Sequence, residues 1–108
     1  MTIDKIRNDS TLTLKVSGRL DTTTSPDLES IIETEISEVK SLEFDFSNLE
    51  YLSSAGLRCL LLAQKKMNRQ GSMAVCNVNE TVREILDITG FSDILTIRRN
   101  SQNSLHES

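Results

Sequence analysis

The sequence predicts an α/β fold, a mixed and mostly parallel sheet of about five strands that opens with a β-hairpin and packs against helices. Three observations carry this. Apolar residues alternate with polar ones in short runs, as in Leu12, Leu14, Val16 and again in Leu42, Phe44, Phe46, which is the period of a half-buried strand. Between such runs they recur at i, i+3 and i+4, the stripe of an amphipathic helix. The two patterns take turns along a chain of 108 residues, enough for one core and one domain. Strands separated by helices require crossover connections, and these are right-handed and join parallel strands.

Thr2 to Asn8 is mixed in character, and Leu12, Leu14 and Val16 follow in alternation with Thr13, Lys15 and Ser17, so Asn8-Asp9-Ser10 reads as the hairpin turn. Gly18 is expected to break the second strand. Ser25-Pro26 then supplies a helix start, with Ser25 accepting from free N–H groups and Pro26 at the first helical position. Leu28, Ile31, Ile32, Ile36 and Val39 form that helix's apolar stripe. A third strand carries Leu42, Phe44 and Phe46, after which Ser47-Asn48-Leu49 leads into Glu50-Tyr51-Leu52.

A second helix begins at Ser53-Ser54, with Leu57, Leu60, Leu61 and Met67 on one side and Gln64, Lys65 and Arg69 towards solvent. Gly71 stands where a left-handed helix C-cap is wanted. Met73 to Val78 is the next strand. Asn79 is the N-cap of a third helix that presents Val82, Ile85, Leu86 and Ile88 and is closed by Gly90. Ile94 to Ile97 makes a last short strand, so the order is β-β-α-β-α-β-α-β. The folded domain is expected over residues 1–98. Arg99 to Ser108 is polar apart from Leu105 and is expected to be a frayed or disordered tail.

Composition narrows the function. Hydrophobic residues are 37% and charged residues 26% of the chain, a globular balance. No apolar run approaches the ~20 residues of a membrane helix, and the start Met1-Thr2-Ile3-Asp4-Lys5 lacks a signal-peptide pattern, so a cytoplasmic location and no membrane contact are expected. A net charge of −4, from 16 acidic and 12 basic residues, gives no reason to expect nucleic acid. Cys59 and Cys76 have no CxxC spacing and no neighbouring His, which fits buried thiols and neither a disulfide framework nor a zinc site. The sole histidine, His106, lies in the tail, and no Gly-x-Ser-x-Gly elbow, Walker glycines or dinucleotide glycines are present. Neither catalysis nor a cofactor is expected.

The informative stretch runs from Phe44 to Arg58, off a strand and into a helix that opens with Ser53 and Ser54 and continues with Ala55 and Gly56. A serine at this position caps a helix, worth about 1 kcal/mol. Capping does not require two small residues after it; those are expected to leave first-turn N–H groups open to a phosphate or a partner.

The segments Asp45-Phe46-Ser47 and Tyr51-Leu52-Ser53-Ser54-Ala55-Gly56-Leu57 resemble the STAS family, anti-sigma factor antagonist type. Ser17-Gly18-Arg19-Leu20-Asp21-Thr22-Thr23-Thr24 resembles that family's Gly-x-Leu-Asp loop, and the likeness continues through Gly71 to Phe91. The resemblance implies the STAS fold and a binding module that a partner kinase switches by phosphorylating Ser54, with Ser53 as the alternative acceptor because it stands where many relatives have Asp. It implies partner contacts at Asp21, Thr22, Thr23, Ser53, Ser54, Ala55, Gly56 and Arg58. Asp45 is expected either to hydrogen-bond the serine loop or to be a solvated strand-face acid. The implied partners are an anti-sigma factor that is also an ATP-dependent serine kinase, and a metal-dependent phosphatase that resets the switch. Another STAS role competes: an accessory subunit of a lipid-trafficking ABC transporter, or a scaffold in a signalling assembly.

Overall fold

The computed structural model describes residues 1–98; the expected polar tail and His106 lie outside the described residues. The elements are β1 (Thr2–Asn8), β2 (Thr11–Leu20), α1 (Ser25–Glu35), β3 (Ser41–Asp45), β4 (Leu49–Leu52), α2 (Ser54–Met67), β5 (Ser72–Cys76), α3 (Glu80–Ile88), a 3-10 turn at Phe91–Asp93 and β6 (Ile97–Arg98). The α/β class, the opening antiparallel hairpin and the parallel remainder are as predicted. Six strands form the sheet, in the order β1-β2-β3-β5-β6, with β4 attached to β2 off that path.

The extra strand arises because β2 serves two parallel partners in succession. Its first half, Thr11 to Lys15, pairs with Ser41 to Asp45 of β3. Its second half pairs Gly18 with Leu49, Arg19 with Tyr51 and Leu20 with Leu52 of β4, with a register shift between Gly18 and Arg19. Gly18 therefore does not break the strand as expected. It sits inside β2 at φ +90, a conformation open to glycine, and its N–H donates to Asn48 O at 3.0 Å. The bulge turns the strand's second half towards β4.

Alternation places Leu12, Leu14, Val16, Leu20, Leu42, Phe44 and Phe46 in the core under the helices, all at most 3% exposed. Phe44 and Phe46 meet with ring centroids 5.7 Å apart. Leu28 and Ile32 of α1, Leu57, Leu60 and Met67 of α2, and Val82 and Leu86 of α3 complete it. Ile36 and Val39 are buried as well, although α1 ends at Glu35. Gln70 helps hold that segment: its Nε2 donates to Ile36 O and Val39 O, each at 2.6 Å, and Ile36 O also accepts from Val39 N at 3.1 Å.

Several local expectations are corrected. The N-cap of α1 is Thr24, not Ser25, which is buried as the first helical residue. Gly71 is not a left-handed cap: α2 closes through Asn68 in a right-handed conformation. What requires glycine there is tertiary, since a Cβ on Gly71 would lie 1.9 Å from Lys40 O. Gly90 does end α3 as expected, at φ +83. Ile88 is 77% exposed and is no part of the core face. The strand predicted at Met73 to Val78 spans Ser72–Cys76 and stops before Asn77, which has φ 60. Most of the expected Ile94 to Ile97 strand is turn, and pairing starts only at Ile97.

Asp45, at the end of β3, does not reach the serine loop. Its Oδ1 accepts from Ser47 N at 3.0 Å and from Asn77 Nδ2 at 3.0 Å, tying the ends of β3 and β5 together. Partial burial pushes its pKa up, but the hydrogen bonds from Asn77 and Ser47, with help from Lys15, outweigh that and hold it below the ordinary 3.8.

Two predictions follow from these contacts. Gly71→Ala should destabilise the fold by about 2–3 kcal/mol, because a backbone carbonyl must move, and a lowered urea midpoint would measure it. Asp45 has a lower pKa folded than unfolded, so its contribution is fully present above about 3.8 and is lost as pH falls through the folded value. Urea midpoints between pH 6 and pH 2 should fall less steeply in Asp45→Asn than in the parent chain.

Candidate functional site

Two strand ends and one helix start meet at one edge of the molecule. Leu20 and Leu52 are paired across β2 and β4, and the next residue of each strand, Asp21 and Ser53, leaves the sheet. Ser53 N–H donates to Leu20 O at 2.9 Å, which fixes one exit against the other. The two segments singled out in the sequence, Gly18 to Thr24 and Tyr51 to Arg58, are therefore neighbours in space.

Helix α2 starts where expected. Ser53 is its N-cap, with φ −93 and ψ 176, and its Oγ accepts from Gly56 N at 3.4 Å. Ser54 is the first helical residue and is exposed, while Ser53 is half-buried. Ser53 thus faces the helix and Ser54 faces solvent. Placing Ser54 at the positive end of a 14-residue helix also sets it where added negative charge is tolerated.

Gly56 has a different reason from the expected one. It is buried, and a Cβ there would lie 2.7 Å from Leu52 Cδ1 and 2.8 Å from Leu20 Cγ. The missing side chain lets α2 settle directly on the paired leucines, so Gly56 supports the surface without being part of it. Ala55 beside it is half-buried and contributes small size at the rim.

The Asp21 loop is self-organised. Asp21 Oδ1 accepts from Thr23 N at 3.0 Å and Thr24 N at 3.1 Å. Thr24 Oγ1 donates to Arg19 O at 2.8 Å and accepts from Asp21 N at 2.9 Å. The Thr24 N–H lowers the Asp21 pKa most; burial opposes it, and the Thr24 hydroxyl, the Thr23 N–H and Arg19 add to the lowering. Asp21 is thus a turn-holding acid that stays ionised, and Thr22 and Thr23 are presented outward on the turn it holds.

Arg58, one turn along α2, is exposed and lines a groove of about 260 Å³ between α1 and α2 together with Ser25, Glu29, Ala55 and Cys59. The Cys59 thiol contacts Ser25 O at 3.5 Å, and burial pushes its pKa up to about 11, which disfavours the thiolate. Burial also raises the Cys76 thiol. Among the described residues no group of three His, Cys, Asp or Glu side chains is placed to hold a metal ion, and no helix is long and apolar enough to cross a membrane.

One feature escapes a reading of the sequence by motifs. Arg19 lies over the ring of Tyr51, 4.4 Å from its centroid, with Asp21 Oδ2 3.8 Å from its Nε. Alternation is the signal that could have found it: Leu20 and Leu52 face inward, so Arg19 and Tyr51 face outward together once the strands pair. Nothing local announces that pairing.

Comparison with known proteins agrees with this architecture. Residues 2–104 match the family model of the STAS domain. An anti-sigma F factor antagonist of Paenibacillus polymyxa is 33% identical over 99 residues, covering 89% of this chain and 85% of the relative. The crystal structure of an anti-sigma factor antagonist from Mycobacterium paratuberculosis superposes with a TM-score of 0.84 at 24% identity, covering 98% of this chain and 92% of the other. SpoIIAA, named a Bacillus cell fate determinant, shares the fold in its unphosphorylated form at a TM-score of 0.80 and 18% identity, covering 94% of this chain and 92% of its own. Its phosphorylated form gives 0.73 at 16% identity over 99% and 100%. With the family model spanning nearly the whole chain, and a mixed sheet carrying Ser54 at the mouth of α2, this protein belongs to the STAS domain family.

Proposed function

We propose that this chain is an anti-sigma factor antagonist: unphosphorylated, it binds an anti-sigma factor that is also a serine kinase, and phosphorylation of Ser54 ends that binding. The observation that carries the reading is the position of Ser54, exposed at the first turn of α2 while Ser53 beside it is occupied in capping. The relatives named as anti-sigma factor antagonists, among them the anti-sigma F factor antagonist of Paenibacillus polymyxa and an anti-sigma-B factor antagonist of Bacillus subtilis, support the partner class. The solved SpoIIAA in phosphorylated and unphosphorylated forms supports a phosphate switch on this fold.

A phosphate on Ser54 adds about 1.5 to 2 negative charges. Within the chain the α2 dipole and first-turn N–H groups offset it, so the fold need not change. Across an interface the balance reverses. A partner surface shaped for a neutral hydroxyl must desolvate a dianion close to the ionised Asp21. A penalty of ~3–4 kcal/mol lowers affinity roughly 10²–10³-fold, enough to dissolve the complex. Asp21, Thr22, Thr23, Ala55 and Arg58 form the rim of the contact in this reading. The reading also includes a metal-dependent phosphatase that removes the phosphate and a cytoplasmic location, and gives the chain itself no catalytic step.

The test is incubation with ATP and anti-sigma kinases of the same genome, followed by intact-mass and peptide mass spectrometry. Phosphate is expected on Ser54, absent from Ser54→Ala and retained in Ser53→Ala, which should instead lose about 1 kcal/mol of stability as its cap is removed. Ser54→Asp should bind the kinase far more weakly than the parent chain. Phosphate on Ser53 would reverse the assignment, and no transfer from any such kinase would favour a transporter subunit or a scaffold.

A further inference from the structure

The Arg19–Tyr51 pair is organised beyond what the fold requires. Both side chains are on the outer face of the β2–β4 ribbon, with Arg19 60% exposed and Tyr51 36% exposed. Yet the guanidinium is held twice, by the ring below it at 4.4 Å and by Asp21 Oδ2 at 3.8 Å. The second distance is longer than a hydrogen bond, so it orients the fork by charge and, among the described residues, leaves its N–H donors unspent. Asp21 is fixed in turn, because its other oxygen accepts from the Thr23 and Thr24 N–H groups.

An exposed arginine normally samples many rotamers, and ordering it is part of the cost of binding. Here the Tyr51 ring and the Asp21 charge favour one orientation before any partner arrives. Arginine and tyrosine are also the residue types enriched among those that carry interface energy, and a planar guanidinium fork matches a carboxylate in two parallel hydrogen bonds. The chain as a whole is acidic, at −4, so this cation is a local feature and not part of a basic surface.

Its position relative to Ser54 follows from the pairing. Tyr51 is three residues before Ser54, at most about 10 Å along the chain, whereas a standard interface of about 800 Å² per partner is about 30 Å across. A partner docked on Ser54 that also wraps the edge where β2 and β4 end therefore reaches the pair. The pair does not serve Ser54 from within the chain, because Leu20 and Leu52 meet α2 at Gly56 and the alternating Arg19 and Tyr51 point to the other side of the ribbon.

We infer that Arg19, stacked on Tyr51, is an anchor of the partner interface, its guanidinium taking a surface carboxylate of the anti-sigma kinase beside the Ser54 contact. This rests on the function proposed above and extends the contact beyond the two motif loops to the outer face of β2 and β4.

The experiment measures binding of the purified kinase to the unphosphorylated chain by calorimetry, for the parent and for Arg19→Ala, Arg19→Lys, Tyr51→Ala, Tyr51→Phe and Arg69→Ala. Circular dichroism and urea midpoints establish that each variant folds. Arg19→Ala and Tyr51→Ala should each weaken binding at least about 10-fold. Arg19→Lys should stay at least about 5-fold weaker, since it keeps the charge without the fork. Tyr51→Phe, which keeps the ring face, and Arg69→Ala, beyond the far end of α2, should bind like the parent. Parent binding with Arg19→Ala within two-fold of it overturns this inference and leaves the proposed function standing. So does Arg19→Lys binding as well as the parent, which would reduce Arg19 to a point charge. A parent chain that binds no anti-sigma kinase overturns both.

Discussion

The close seating of α2 on the paired residues Leu20 and Leu52 is the constraint from which the site follows. Gly56 permits it, since any Cβ would penetrate both leucine side chains. With the helix drawn down, its first turn lies where β2 and β4 end, and the Ser53 N–H reaches Leu20 O. If the helix sat a methyl group higher, Ser53 would lose that anchor, and the serine and Asp21 loops would separate. The geometry of a surface hydroxyl is thus set from underneath, by shape in the core.

The second dependence is the division of β2 between two partners. A strand that paired with β3 along its whole length would carry Asp21 away from α2. The glycine bulge at Gly18 instead hands the strand's end to β4, whose next residue is the α2 cap. Four residues of strand therefore connect the main sheet to the serine loop. β4 is held on its other side by α3, where Asn79 caps its own helix through Oδ1 to Val82 N at 2.8 Å and donates from Nδ2 to Leu49 O at 2.7 Å.

Electrostatics at this edge is arranged in layers. Asp21 is spent mainly on its own turn, and its remaining oxygen aligns Arg19. Ser53 is spent on the helix cap. Among the described residues, the Ser54 hydroxyl, the exposed Thr22 and Thr23 and the Arg19 fork remain uncommitted at the surface. In the proposed function a phosphate on Ser54 adds negative charge to this edge, which the helix dipole beneath makes tolerable to the fold and costly only to an interface.

By itself the sequence determined what depends on neighbours along the chain. The period of Leu12, Leu14 and Val16 and of Leu42, Phe44 and Phe46 defines strands. The stripes of α1, α2 and α3 define helices, and the Asn79 and Ser53 caps and the Gly90 stop mark ends, because each is a local choice of backbone and burial. The motif loops around Asp21 and Ser54 were legible for the same reason. The tertiary structure alone decided that β2 splits its pairing, that Leu49–Leu52 becomes a strand, that Gly71 yields to the Lys40 carbonyl and Gly56 to two leucines, and that Asp45 joins Asn77 instead of the serine loop. It also decided that Arg19 meets Tyr51. Each of these joins residues distant in sequence, and a contact of that kind has no period or local propensity to announce it; it exists only once the chain has been folded back on itself.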